Sequence, residues 1–173
     1  MTIQLNSEDY LYRGIPYTIT QSKEEKQKPL LFFFHGFQSN RKQGSMGRVE
    51  AFASLGYAVV SIDAYNHGER QSRVFQEASI EQKYAQILEI ITNTAQDALL
   101  LTEEVLRHHP SIDTTRIDVY GVSMGGMIGV AFGVLSQRVN KMVLLVSTPK
   151  LLDYYLERQR TYQFALPTKE RME

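Results

Sequence analysis

The stretch Gly121-Val122-Ser123-Met124-Gly125 is the feature that most limits the folds open to this chain. An apolar run, Ile117-Asp118-Val119-Tyr120, leads into it, and residues 124–137 follow with a helical pattern. A strand must therefore become a helix within about one residue of Ser123. Such a turn is tight enough to need small flanking residues, and it holds the serine hydroxyl out at the end of the strand. Gly125, Gly129 and Gly133 recur every four residues behind it. That spacing places them on one helix face. The result is a flat stripe that lets the helix lie close on a sheet, despite the helix propensity glycine forfeits.

The remaining pattern alternates in the same way. Tyr10-Leu11-Tyr12 and Tyr17-Thr18-Ile19-Thr20 read as two short strands, and residues 21–28 as a solvated loop. Leu30-Leu31-Phe32-Phe33-Phe34 is continuously apolar, as a strand covered on both faces should be. Residues 40–55 place Met46, Val49, Phe52 and Ala53 on one helical face, with Gly56 at the C-terminal cap position. Residues 57–63 read as the next strand and residues 64–77 as a polar loop. Ser79-Ile80-Glu81-Gln82 has the form of a capping box. It opens one long helix through Leu106, which Pro110 ends. Residues 113–116 read as a turn and residues 141–147 as the last strand. Strands alternating with helices predict an α/β fold with a mostly parallel sheet flanked by helices. Residues 1–148 form the expected core, and residues 149–173 the start of a lid or connecting segment.

Formal charge is balanced, with 19 basic and 19 acidic residues among 173. No nucleic-acid footprint or membrane-surface patch is therefore expected. The chain has no cysteine, which removes disulfides, thiolate nucleophiles and Cys-ligated metals. The first residues lack a basic segment leading into an apolar one, and no apolar run is long enough to span a bilayer. A cytoplasmic protein is the expectation.

The chemistry-bearing residues cluster in three loops. A serine hydroxyl is a weak nucleophile until a base takes its proton, and Ser123 sits where such a nucleophile would stand. His35-Gly36-Phe37 ends the Phe-rich strand, and ligands of open α/β sheets bind at the carboxyl ends of strands. In acyl transfer the backbone N–H groups of Phe37 and Met124 would cradle the oxyanion of a tetrahedral intermediate. His35 reads as a buttress of that loop rather than a base. Asp63 and His67 read as parts of a hydrogen-bonded loop beside the site. His108 and His109 suit a helix C-terminus, where cations complement the dipole. They lack the carboxylate cluster a metal site would need, so no metal is expected. Asp153 reads as a solvated charge.

His35-Gly36, Asp63 through His67-Gly68, and Gly121 through Gly126 occur together and in order. They resemble the α/β-hydrolase family, in wording closest to bacterial esterases of the dienelactone-hydrolase and prolyl-oligopeptidase-like branch. The resemblance spans about residues 10–148. It implies Ser123 as nucleophile, Phe37 and Met124 as oxyanion donors, and hydrolysis of small-molecule carboxylic esters through an acyl-enzyme, without metal or organic cofactor. Members of that family continue with two more strands that precede the catalytic acid and histidine, and no histidine follows Ser123 here. The expectation is a fold lacking its last two strands, an incomplete triad, and an apolar edge at residues 142–147 that invites self-association. An inactive binding module, or a peptidase, thioesterase or acyltransferase on the same scaffold, is the alternative. Tyr154, Tyr155, Tyr162 and Phe164 read as packing residues in preference to an acyl site.

Overall fold

The computed structural model describes residues 3–166. Residues 1–2 and 167–173, the latter being the end of the expected lid segment, lie outside it. Six strands form one mixed sheet: β1 (Leu5–Tyr12), β2 (Ile15–Ser22), β3 (Lys28–Phe34), β4 (Ala58–Ile62), β5 (Ile112–Val122) and β6 (Val139–Leu145), in the order β1-β2-β4-β3-β5-β6. β1 and β2 are antiparallel to their neighbours, whereas β4, β3, β5 and β6 run parallel.

The continuous apolar run of β3 divides by the two-residue period of a strand. Phe32 and Phe34 join the larger core, against Phe132 of α5 (Met124–Leu135) and the buried face of α4 (Ile87–Glu104). Leu31 and Phe33 join the smaller one, with Val49 and Ala53 of α1 (Arg48–Ser54). Three successive fully buried phenylalanines each contribute roughly 1.5–3 kcal/mol of burial. That makes β3 the strand on which both layers depend.

Several boundaries differ from the sequence reading. The expected helix over residues 40–55 is helical only as α1. Met46 and Gly47 take positive φ before it, and Met46 is exposed rather than on the buried face. Gly56, at φ 96°, ends α1 as expected. Its N–H donates to Ala53 O at 3.1 Å, while Tyr57 N–H donates to Phe52 O at 3.2 Å, the paired bonds of a Schellman cap. The loop over residues 21–28 is not wholly solvated. Lys28 is buried, and its Nζ donates to the Glu24 and Lys26 carbonyls at 2.7 and 3.2 Å. The polar loop over residues 64–77 contains a 3₁₀ turn, Gly68–Arg70, and α2 (Arg73–Glu77). The turn at residues 113–116 is a bulge inside β5, where pairing with β3 jumps from Pro29↔Asp113 to Leu30↔Ile117.

The long helix is two. The capping box forms: Gln82 N–H donates to Ser79 Oγ and Ser79 N–H to Gln82 Oε1. It starts α3 (Ile80–Ala85), which breaks at Gln86 before α4 begins. No proline or glycine marks the break. It lets Tyr84 turn toward Phe37 while Ile87 enters the core, so tertiary packing overrides a continuous helical periodicity. α6 (Leu151–Tyr162) then packs on α3. Among the described residues, no helix is long and apolar enough to cross a membrane.

Candidate active site

The parallel register pairs Phe34 with both Ile62 and Gly121, and Gly121 with Leu144. The carboxyl ends of β3, β4, β5 and β6 therefore lie level, and the loops at residues 35–37, 63–68, 121–126 and 146–148 share one end of the sheet. Ser123 takes φ 53° and ψ −117° between β5 and α5. This backbone is strained for a non-glycine residue. Its N–H donates to Leu145 O at 2.8 Å, tying the turn to the end of β6. The close approach is possible only because two neighbours are glycines. A Cβ on Gly121 would collide with the Gly125 carbonyl, and one on Gly125 with the Phe34 carbonyl.

The Ser123 side chain is half-buried, and its hydroxyl makes no hydrogen bond to a described residue. It opens on a cavity of about 430 Å³ shared with Met127, Val146 and Ser147, and walled on the far side by Asp153 and Tyr154 of α6. A Cβ placed on Gly36 would lie 3.8 Å from Ser123 Cβ, which brings the turn at residues 35–37 against the serine. Neither Phe37 N–H nor Met124 N–H donates to a described residue. The latter belongs to the first turn of α5, where amides have no partner within the helix.

His35 is 1% exposed. Ala64 N–H donates to its Nε2 at 3.0 Å, so the proton sits on Nδ1, which donates to Gly36 O at 2.8 Å. Burial pushes its pKa down to about 4, outweighing the hydrogen bond to Gly36 and the charge of Asp63, with His67 adding to the depression. A neutral ring committed at both nitrogens holds the Gly36 carbonyl and braces the turn carrying Phe37. His67 is equally buried and donates from Nδ1 to Tyr65 O at 2.9 Å, leaving Nε2 without a partner among the described residues. Desolvation lowers its pKa too. Its ring packs against Phe37, Phe75 and His35.

Asp63, fully buried, accepts from Arg41 N–H at 2.8 Å and Glu69 N–H at 3.0 Å, and forms an ion pair with the Arg41 guanidinium. Arg41 is itself buried and also reaches Thr18 Oγ1 at 3.0 Å and Glu69 Oε1 at 2.8 Å. The Asp63 carboxylate is thus spent on holding the loop. No spacing in the sequence marks Arg41 as its partner. Tyr84 was equally unmarked. It stacks on Phe37 at 4.9 Å between ring centres and on Tyr162 of α6 at 4.6 Å. Burial and the neighbouring Tyr154 and Tyr162 push its hydroxyl pKa up to about 12.

The other flagged residues lie elsewhere or at the rim. His108 ends a 3₁₀ turn, Leu106–His108, and His109 follows it ahead of β5, at the far end of that strand from Ser123. Among the described residues no group of three side chains converges as metal ligands. Asp153 lies at the cavity's edge, exposed and 3.8 Å from Lys150 Nζ. Tyr155 and Phe164 are buried against each other. Of the four aromatics in this segment, Tyr154 faces the cavity.

A family model for acetyl xylan esterases matches residues 12–169. Thiohydrolase aneE of Aspergillus aculeatus is 26% identical over 129 residues, covering 75% of this chain and 36% of that protein. Acetyl xylan esterase 1 of Thermoanaerobacterium sp. superposes with a TM-score of 0.63 at 20% identity, over 99% of this chain and 64% of the other. A cold-adapted esterase from an Arctic intertidal metagenomic library gives 0.62 at 19% identity, over 82% and 60%. The chain thus spans little more than a third of the curated relative it matches. At these identities the structural likeness is one of fold, and that fold is the α/β-hydrolase arrangement.

Proposed function

This chain belongs to the acetyl xylan esterase family, and from that premise we propose that it carries the nucleophile and oxyanion site of a serine esterase. Ser123 attacks the ester carbonyl, and the amides of Phe37 and Met124 receive the developing oxyanion. One such donor is worth about 3–4 kcal/mol of transition-state stabilisation. The carrying observation is the combination at Ser123: a strained turn, an unengaged hydroxyl that opens on a cavity, and the unbonded amides of Phe37 and of Met124 next to it. Lys150, Asp153 and Glu157 give the α6 wall a polar surface, which suits the hydroxylated alcohol of a carbohydrate ester. His35 positions the Phe37 turn. His35 does not serve as base, since its buried ring is committed at both nitrogens, and the buried His67 ring packs against Phe37, Phe75 and His35 and does not line the Ser123 cavity. The serine proton passes to solvent or to a group outside the described residues.

The test is release of p-nitrophenol from p-nitrophenyl acetate, with intact-mass detection of an acetyl group on Ser123. The expected result is an acetylated wild type, with both signals lost in Ser123→Ala. Equal release by the two proteins would overturn the reading. A second reading, thioester hydrolysis at the same serine, is favoured by the thiohydrolase relative. The matching p-nitrophenyl thioacetate assay distinguishes it.

The outer edge of β6 has no partner strand among the described residues, and Met142, Val143 and Leu145 are exposed there. Such an edge pairs readily with another chain, so self-association is expected. A monomer by light scattering at micromolar concentration would count against it.

A further inference from the structure

Val146 holds a backbone conformation that its side chain disfavours. Its φ is 51°, and it is the only β-branched residue with positive φ among the described residues. Two methyl groups on Cβ crowd the backbone in this region, where glycine or asparagine is at ease. Strain of this kind persists only where the surroundings impose it, and the surroundings are visible. Leu145 O is bound by the Ser123 amide at 2.8 Å. One residue further on, Ser147 presses onto the first turn of α5, its Cβ and Oγ both 2.5 Å from where a Cβ on Gly126 would stand. The chain is pinned on both sides of Val146 and must kink between the two points.

The kink turns the valine side chain out. It is 88% exposed, so core packing accounts for neither the residue nor its conformation. What it faces is the cavity that holds Ser123. That cavity has two characters. Met127 and Val146 are the aliphatic members of its lining, while Lys150, which caps α6, and Asp153 and Glu157 of α6 are charged. An ester lying across Ser123 would place its acyl group against the aliphatic residues and its alcohol against the charged ones.

We propose that Val146 is a specificity-determining residue: its isopropyl group, with Met127, borders the cavity where the acyl group lies and limits the acyl group that Ser123 accepts to about the size of acetyl. The proposal rests on the reading of Ser123 as nucleophile. In the step concerned, the Ser123 Oγ–acyl carbon bond forms, the ester C–O bond breaks, the alkoxide leaves, and the serine proton goes to buffer.

The experiment acylates the full chain with p-nitrophenyl acetate, butyrate and octanoate and follows the adduct on Ser123 by intact mass, in wild type, Val146→Gly and Val146→Ala. Wild type is expected to acylate with acetate roughly ten-fold or more faster than with butyrate, the scale that extra methylenes impose in a closed pocket. Val146→Gly should bring the two within about three-fold, with Val146→Ala between them. Val146→Gly should also melt no lower than wild type, because it relieves the positive-φ strain. An unchanged acetate-to-butyrate ratio in both variants, with Ser123 still acylated, overturns the role of Val146 and leaves the nucleophile standing. No adduct on Ser123 with any ester in wild type overturns the nucleophile reading, and this proposal with it.

Discussion

Two loops at the same end of the sheet carry residues of the same chemical kinds, and the structure treats them oppositely. Residues 63–70 hold an aspartate, a histidine, a glutamate and an arginine, and almost every polar atom among them is engaged. Asp63 takes bonds from the Arg41 and Glu69 amides and the Arg41 guanidinium, and Arg70 Nη1 donates to Asp97 at 2.5 Å. Residues 121–126 hold a single hydroxyl, on Ser123, which meets no described partner although its backbone is strained. Saturation marks the first loop as scaffold, since buried charges are tolerated only when paired and hydrogen-bonded. The second keeps an unengaged hydroxyl on a strained turn, which is why the proposed chemistry is put there.

That contrast can be broken most directly at Asp63. Asp63→Ala takes from the buried Arg41 guanidinium its one fully buried carboxylate partner and leaves it only the exposed Glu69 and Asp9, and should cost about 3–5 kcal/mol in chemical denaturation. A loss below about 1 kcal/mol would show that the loop does not depend on the pair. His35 gives the next largest effect, read as pH dependence. Its folded pKa of about 4 lies below the usual 6.5 because burial penalises the cation. The unfolded chain therefore binds a proton first as pH falls. Its contribution is complete above pH 6.5, declines by about 1.4 kcal/mol per pH unit below that, and is exhausted near pH 4. Close to 3 kcal/mol should be lost across the window, with His67 adding in the same direction. His35→Gln should flatten the part due to His35, and an unchanged slope in that variant would remove His35 from the account.

A smaller effect sharpens the link between the loops. Tyr84→Ala deletes both stacking contacts, each worth about 0.5–1.5 kcal/mol. It should slow acylation of Ser123 by loosening Phe37, while Tyr84→Phe keeps both stability and rate. Equal acylation rates in wild type and Tyr84→Ala would disconnect Tyr84 from the part proposed for the Phe37 turn. The smallest stability change is expected at Ser123 itself, the proposed nucleophile. Ser123→Ala removes a hydroxyl that bonds to nothing described and should move stability by less than about 0.5 kcal/mol while abolishing the adduct.

Much of this was legible in the residues. The strand-to-helix turn at Ser123, the Gly56 cap and the Ser79–Gln82 capping box rest on local rules of backbone geometry and short-range hydrogen bonding, and each forms where its residues stand. The Phe-rich run reads as a doubly covered strand because an unbroken apolar stretch of that length has few other homes. The misplaced features depend on partners distant in the chain. The break at Gln86 follows from Tyr84 reaching Phe37. The burial of Lys28 follows from carbonyls of the loop that folds over it. The bulge in β5 follows from fitting a long strand against a shorter β3.

The sequence by itself determined that strands and helices alternate, and that a serine stands at a turn which only glycines can flank. Those properties live within a few residues of the chain, where sterics and hydrogen-bond reach are local. Only the tertiary structure decided which polar groups are spent. Arg41 meets Asp63 across 22 positions, Ala64 fixes the His35 tautomer across 29, and Val146 comes to face Ser123 because β6 pairs with β5. Whether a carboxylate or an imidazole remains free is set by what folding brings against it, and no spacing in one dimension encodes that.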